Sequence, residues 1–364
     1  MIFGALLTFI TPLLMVSYEP KKTRAVQYLL LNGGTLGMVL GFGLSHYPLV
    51  GFSGLAVALA FLLLLGDTLA MIRKSLLRPG LHLWFYGVAA LSLFVGITLG
   101  ELIAFAGLDS ENINSARLAH LHMNLLGFVT LTIIGTMQTL FPTVTAARLA
   151  SDRLAVLAFV LLPTGVICLV AGFLLRMPLV QIAAGVVFLL GVSLSGTNIL
   201  RTWSAAPNKW SLPVLHLLAG TGWLALTVIV GILLAWNDRT EPPAFAIGTA
   251  HLMSYSHMAF IGFILQTIIG ALSHLLPVIL VMTRVNSQKK RRPYLERLTA
   301  QVEQWKWIQI GALNLGILVM AAWGLVAGVF GLTANATTVA MWAAIVLLLL
   351  GFGLFGQKIV LPPP

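Results

Sequence analysis

Two histidines with one residue between them, His120 and His122, open an apolar run, 117–142, that is long enough to cross a bilayer. Imidazole is a strong ligand for iron and for copper. At about 100° per helical residue, the two rings of a His-x-His pair point about 200° apart, so they can serve two sites but cannot chelate one ion. The run recurs later in the chain. His122-Met123, Gly127-Phe128, Thr132-Ile133-Ile134-Gly135, Leu140 and Pro142 fall on His257-Met258, Gly262-Phe263, Thr267-Ile268-Ile269-Gly270, Leu275 and Pro277, ten identities in twenty-one positions at one constant offset, without a gap. Apolar helices share leucines by composition; a histidine, two glycines and a closing proline in register indicate a duplicated unit.

The second copy adds His251 and Tyr255, four residues apart on one helical face and able to share a site, whereas His257 points about 120° away from them. The competing expectation for any one of these histidines is a hydrogen bond to a neighbouring helix. Ligation is favoured for His122 and His257 because they hold equivalent positions. Gly127, Gly135, Gly262 and Gly270, eight residues apart in each copy, leave room for a flat macrocycle or for a neighbouring backbone. Met123 and Met258 could offer soft thioethers, but each is turned about 100° from its histidine and is read as packing. His46, His82, His216 and His274 lie at or toward span ends and read as structural or interfacial. Glu101 and Asp67 are the carboxylates well inside apolar spans, hence candidates for a proton path.

These residues need helices in a membrane to position them. The chain is 59% hydrophobic and 9% charged over 364 residues, with a mean hydropathy of +0.99, beyond what a soluble domain can disperse over its surface. One cysteine, Cys168, excludes disulfides within the chain, a CxxCH haem attachment and a multi-cysteine metal cluster. No phosphate-binding glycine loop, nucleophile triad or HExxH motif is present. Eleven apolar spans are expected, near 2–17, 26–44, 50–72, 81–106, 117–142, 154–175, 179–200, 212–236, 247–277, 308–330 and 337–357. Together they form a single transmembrane domain, 1–364, whose repeat units centre on 117–142 and 247–277, with a partial copy at 1–17 that ends in Pro12.

Alternating the loops between the two sides puts eighteen of the twenty-one Lys and Arg on one side and only Arg117, Arg176 and Arg239 on the other. The positive-inside rule then places the C-terminus in the cytoplasm and the four site histidines in the outer half of the membrane. The net charge of +11 is thus a topology signal rather than a nucleic-acid signal, and its KKRR run, 289–292, faces lipid headgroups. The first span is short for a bilayer, and the histidine of its copy would fall before Met1, so a preceding helix and the outer half of this one are expected to be missing.

Repeats at every fourth helix, histidines at their outer ends and the pattern His-x4-Gly-x7-Gly-x6-Pro resemble the catalytic subunit of the haem-copper oxidase superfamily, which includes cytochrome c oxidase subunit I and the nitric-oxide reductase large subunit. The resemblance implies an all-α integral membrane protein, the twelve-helix, three-arc fold lacking its first helix and half of its second. By position, His122 is similar to a copper ligand of that family and His257 to its low-spin haem ligand. Tyr255 stands where the high-spin haem ligand would be, no adjacent His-His completes a copper site, and the histidine of the first copy is absent.

Two function classes follow. The first is a redox protein of a bacterial or archaeal cytoplasmic membrane that binds haem, with or without copper, as an oxidoreductase of O2 or NO handling or as an electron carrier. Its cofactor-binding residues are His257, His251, His120 and Tyr255, its metal candidates His122 and His120, and its partners lipid and an electron-donor subunit or cytochrome. The second is a cofactor-free transporter or channel with a histidine-lined polar path. Outer-half clustering of the histidines favours the first.

Overall fold

The computed structural model describes residues 23–76, 80–105, 108–240, 243, 247–330 and 334–360. Long uninterrupted runs of Leu, Val, Ala, Phe and Gly satisfy their backbone polar groups within each segment, as the hydrocarbon core demands, and the described residues accordingly form helices throughout. In chain order these are α1 (Thr23–Gly43), α2 (Tyr47–Lys74), α3 (Leu81–Phe105), α4 (Ser110–His122), α5 (Leu131–Thr145), α6 (Asp152–Leu174) and α7 (Pro178–Ala205). They continue with α8 (Leu212–Arg239), α9 (Thr249–His257), α10 (Gln266–Arg284), α11 (Gln288–Glu303), α12 (Lys306–Phe330) and α13 (Ala334–Val360). Between α4 and α5, and between α9 and α10, the helix continues without a break through an eight-residue π-helical segment, Met123–Thr130 and Met258–Leu265.

Ten helices among the described residues are long and apolar enough to cross a membrane, with α4–α5 and α9–α10 each counting as one. The all-α membrane class is therefore borne out, and ten of the eleven expected spans have their helix. The first, at 2–17, lies outside the described residues, as does the partial repeat it carries. One element departs from expectation. The basic loop between Arg284 and Lys306 is the helix α11, whose Gln, Lys, Arg, Leu and Glu are good helix formers.

The described residues fall into two compact units, one drawn from Met1–Gly135 and Val166–Met177, the other from Thr136–Gly165 and Pro178–Pro364. In the first, α1 and α2 lie against each other through small residues: a Cβ on Gly34 would meet the Ser53 carbonyl oxygen at 2.7 Å, and one on Gly41 the Val50 side chain at 2.7 Å. Lipid tails are as apolar as leucine, so helices associate by such close packing rather than by hydrophobic exclusion. Phe61, Leu64 and Met71 of α2 form a buried core with Leu83, Tyr86 and Phe94 of α3 and Phe128 of the first π segment. The Phe61 ring meets Phe94 and Phe128 edge-on, at 5.4 and 5.9 Å between centroids.

In the second unit α6 and α7 interlock, Gly165 against the backbone of Phe188 and Gly191 against Leu162. The turn before α6 is tied to α7 by a reciprocal pair, Ser151 N–H to Asn198 Oδ1 and Asn198 Nδ2 to the Ser151 carbonyl, both at 2.9 Å. Leu217 of α8, Ile269 of α10 and Leu313 and Ile317 of α12 are buried in the interior of this unit.

Candidate functional site

Asp109 caps α4 by accepting the Asn112 N–H at 2.8 Å, and polar sequence precedes the histidines. His122, at the C-terminus of this helix, is buried, and its ring lies 4.7 Å from that of Phe173. Its Nδ1 sits 2.8 Å from the Leu118 carbonyl oxygen. A carbonyl oxygen only accepts, so Nδ1 carries the proton and the lone pair is on Nε2, which makes no hydrogen bond among the described residues. His257, half-buried at the end of α9, does the same thing: Nδ1 donates to the Met253 carbonyl at 2.6 Å. A backbone carbonyl on one ring nitrogen is the arrangement that fixes the tautomer and the orientation of a metal-ligating imidazole.

The π segments start at Met123 and Met258, each directly after its histidine. Their i→i+5 bonding puts about one more residue into each turn than an α-helix holds, and such segments are rare and concentrated at functional sites. Thr130 Oγ1 donates five residues back to the Leu125 carbonyl at 2.9 Å, in keeping with the widened turn.

The preceding helix carries a matching set of contacts in each unit. A Cβ on Gly127 would meet Ser92 of α3, and one on Gly262 would meet Trp223 of α8. One on Gly135 would meet Phe85 of α3, and one on Gly270 would meet His216 of α8. These four glycines thus receive a neighbouring helix, the second of the two expectations for them, rather than a macrocycle. In the other direction, Gly100 of α3 makes room for the His120 ring, and Gly231 of α8 for the Tyr255 ring. The step from His120 to Tyr255 along the chain equals that from His122 to His257. Gly100 to Gly231, Ser92 to Trp223 and Phe85 to His216 share a second, slightly shorter step, so α3 and α8 are related to each other as the histidine helices are.

His120 donates Nδ1–H to the Gly96 carbonyl of α3 at 2.7 Å, an interhelical bond. Asn124 Nδ2 lies 3.5 Å from His120 Nε2 and donates to the His120 carbonyl at 2.8 Å. His251 is almost fully buried and caps its own helix, Nδ1 accepting the Gly248 N–H at 3.1 Å. Its proton is therefore on Nε2, the opposite tautomer from His122 and His257. Tyr255 follows it one turn later on α9. In α2, buried Asp67 accepts a hydrogen bond from Gln27 of α1 at 2.8 Å. Glu101, in the last turns of α3, lies beside Gly54 of α2, with its Oε2 shielded from solvent and without a hydrogen-bond partner among the described residues.

A polar network that the sequence pattern does not single out runs through α8, α10, α12 and α13. His216, wholly buried, donates Nδ1–H to Gln266 Oε1 at 2.9 Å and accepts at Nε2 from Gln309 Nε2 at 3.1 Å. Lys358 Nζ donates to Gln309 Oε1 at 2.6 Å. Gln266 Nε2 and Trp223 Nε1 both donate to Asn314 Oδ1, at 2.8 and 2.7 Å. Of the two readings for His216, structural or interfacial, its burial and bonds fit the structural one, and Gln266, Gln309 and Asn314 within apolar spans are the signal for the network around it.

Among the described residues no three His, Cys, Asp or Glu side chains converge to hold a metal ion. A copper centre built from several imidazoles does not fit these residues. Axial ligation of a haem asks for one imidazole nitrogen at a time, and His122 and His257 each present one.

No protein-family model matches the chain, and no curated protein matches it. Among solved structures, it is similar to a haem-copper terminal oxidase dimer determined by cryo-electron microscopy, with a TM-score of 0.74 at 16% identity, covering 100% of this chain and 74% of that one. The fold is haem-copper oxidase-like. At 16% identity the likeness is one of fold, an all-helical membrane fold, and carries neither residues nor activity over to this chain.

Proposed function

We propose that this chain is a haem-binding membrane redox protein, working in electron transfer or in O2 or NO handling, with His257 as an axial haem ligand and His122 as a second, separate ligand position. The observation that carries the reading is the pair of identical side-chain-to-backbone bonds at His122 and His257, which leaves Nε2 of each as an unprotonated lone-pair donor. In this reading the Leu118 and Met253 carbonyls hold the two rings in place and raise the basicity of Nε2. A bound haem supplies one-electron chemistry at its iron. Phe173 packs beside His122 and helps keep water from the ring. Tyr255 and His120, each fitted against a glycine of the preceding helix, line equivalent positions beside the ligands. His251 acts through its cap, setting where α9 begins and hence where His257 stands.

Glu101 is the better proton-path candidate of the two carboxylates, since Asp67 is engaged by Gln27. The charge asymmetry of the loops puts the C-terminus in the cytoplasm and the ligand histidines toward the outer face, where an electron-donor subunit or cytochrome would dock. The test is the visible absorption spectrum of the purified protein, oxidised and reduced. A Soret band that shifts on reduction is expected. A colourless protein that instead catalyses solute- or proton-coupled flux in liposomes would establish the transporter reading.

A further inference from the structure

The helix α11 lies at the end of its unit where α10 finishes, α12 begins and α13 finishes. Trp203, Trp210 and Trp307 meet at this end, with ring centroids 5.3 Å apart for the first pair and 6.2 Å for the second. Tryptophan gathers at headgroup depth, where its ring is part apolar and part wet. Only Leu298 of α11 is buried, so the helix presents most of its surface outward.

Arg284, Lys289, Lys290, Arg291, Arg292, Arg297, Lys306 and Lys358 bring eight positive charges to this end, against Glu296 and Glu303. Both acids are already engaged. Glu296 pairs with Arg292 at 3.1 Å, while Glu303 accepts Lys306 Nζ at 2.8 Å through one oxygen and the Leu212 N–H through the other. Arg297 makes no hydrogen bond or ion pair among the described residues. It stands on the wall of a cavity of about 520 Å³ together with Gln301, Gln304, Trp305, Gln357 and Lys358. Trp305, which joins α11 to α12, holds a left-handed backbone, φ 55°, and is largely exposed. Beyond Gln301 and Lys358 the wall continues as an apolar crevice of Leu276, Leu280, Leu298 and Phe355.

We propose that this cavity is a binding site for one anionic phospholipid. Arg297 and the remaining N–H groups of Lys358, whose Nζ also holds Gln309, take the phosphate, Gln304 and Gln357 the headgroup hydroxyls, and Trp305 the glycerol region, while the acyl chains lie in the bilayer. Arginine provides a planar fork of donors for phosphate, and Lys358 a compact charge on a stem that already lies along the crevice. The cavity is large enough for a headgroup, and its charge is complementary to that of the ligand. The surface run 289–292 supplies general attraction for a negative leaflet, whereas the cavity supplies a bound stoichiometry.

Native mass spectrometry of the full chain, with phosphatidylglycerol or phosphatidylcholine of the same acyl chains added in excess, tests this. Retention of one phosphatidylglycerol in preference to phosphatidylcholine is expected, and Arg297→Gln should weaken it about fivefold, the effect of removing one cation near an anionic lipid. Arg297→Lys should restore part of the loss. Lys289→Gln with Lys290→Gln should leave the retained lipid in place. Equal retention of the two lipids would overturn the proposal, as would unaltered binding in Arg297→Gln with its thermal unfolding unchanged. A loss as large in the 289/290 variant would mean diffuse attraction only, and would overturn it too. Displacement by millimolar inorganic phosphate would mean a free-phosphate site, with the same consequence.

Discussion

His122 and His257 hold the same place in their two repeats and make the same bond, Nδ1–H to the carbonyl four residues back, at 2.8 Å to Leu118 and 2.6 Å to Met253. The two acceptors are equivalent repeat positions as well, so what recurs is a side chain together with its support. If the supports exist to present Nε2, His257→Ala should lose the Soret band or convert it to that of a weakly held haem. His274→Ala, toward the other end of the same continuous helix, should keep it. The measurement is the reduced-minus-oxidised spectrum of each variant at equal protein concentration, and a band unchanged in His257→Ala removes this ligand.

Glu101 and Asp67 are separated by their partners. Glu101→Gln retains the shape beside Gly54 while removing the carboxylate, so in proteoliposomes it should suppress redox-linked proton uptake and leave the absorption spectrum intact. Asp67→Asn should keep both. Stopped-flow uptake with a pH dye decides the matter, and equal uptake in Glu101→Gln and the parent protein ends the assignment.

The close approach of α6 and α7 predicts a contrast between two glycines. A Cβ on Gly165 would lie 2.8 to 2.9 Å from Cβ, Cα and N of Phe188, backbone that cannot step aside, whereas one on Gly66 meets nothing within 4 Å. Gly165→Ala should therefore cost about 1–3 kcal/mol by overpacking. Gly66→Ala should be neutral or gain about 0.5–1 kcal/mol from the better helix former. Unfolding midpoints in one detergent compare them.

Asn314 receives two buried donors, Trp223 Nε1–H and Gln266 Nε2–H. Asn314→Leu orphans both, with an expected loss of about 1–3 kcal/mol. Asn314→Asp, which keeps an acceptor, should lose less. Single interhelical bonds in membranes average only about 0.6 kcal/mol, so a loss beyond that value in thermal unfolding distinguishes a linked network from one contact.

The spans were legible because a bilayer imposes length and apolarity on every crossing, and Leu81–Phe105 falls within a residue of its expected bounds at 81–106. The site helices were read short. Pro142 and Pro277 looked like ends, yet both sit inside helices that run on to Thr145 and Arg284, which a membrane helix tolerates where neighbours cover the freed carbonyl. The polar first turn from Ser110 is held by Asp109, a cap rather than an apolar signal. Which partner the paired glycines receive could not be read from spacing, because α3 and α8 reach them only through the tertiary fold. The His216 network was missed for a similar reason: its members lie on three other helices and share no local pattern. The π segments left no sequence mark at all, since their widened turns are a property of backbone hydrogen bonding.

Those widened turns make the imidazoles and the glycine-proline stripes below them separable bearings on one rod. Deleting a single residue between Met123 and Thr130 would let the widened turn close to ordinary winding, which takes up most of the lost link and leaves His122 nearly in phase with the glycines that grip α3. The same excision between Met258 and Leu265 would do so for His257 and its grip on α8. In plain α-helix a lost residue swivels everything on one side by about 100°; each widened turn here holds one link of slack against that.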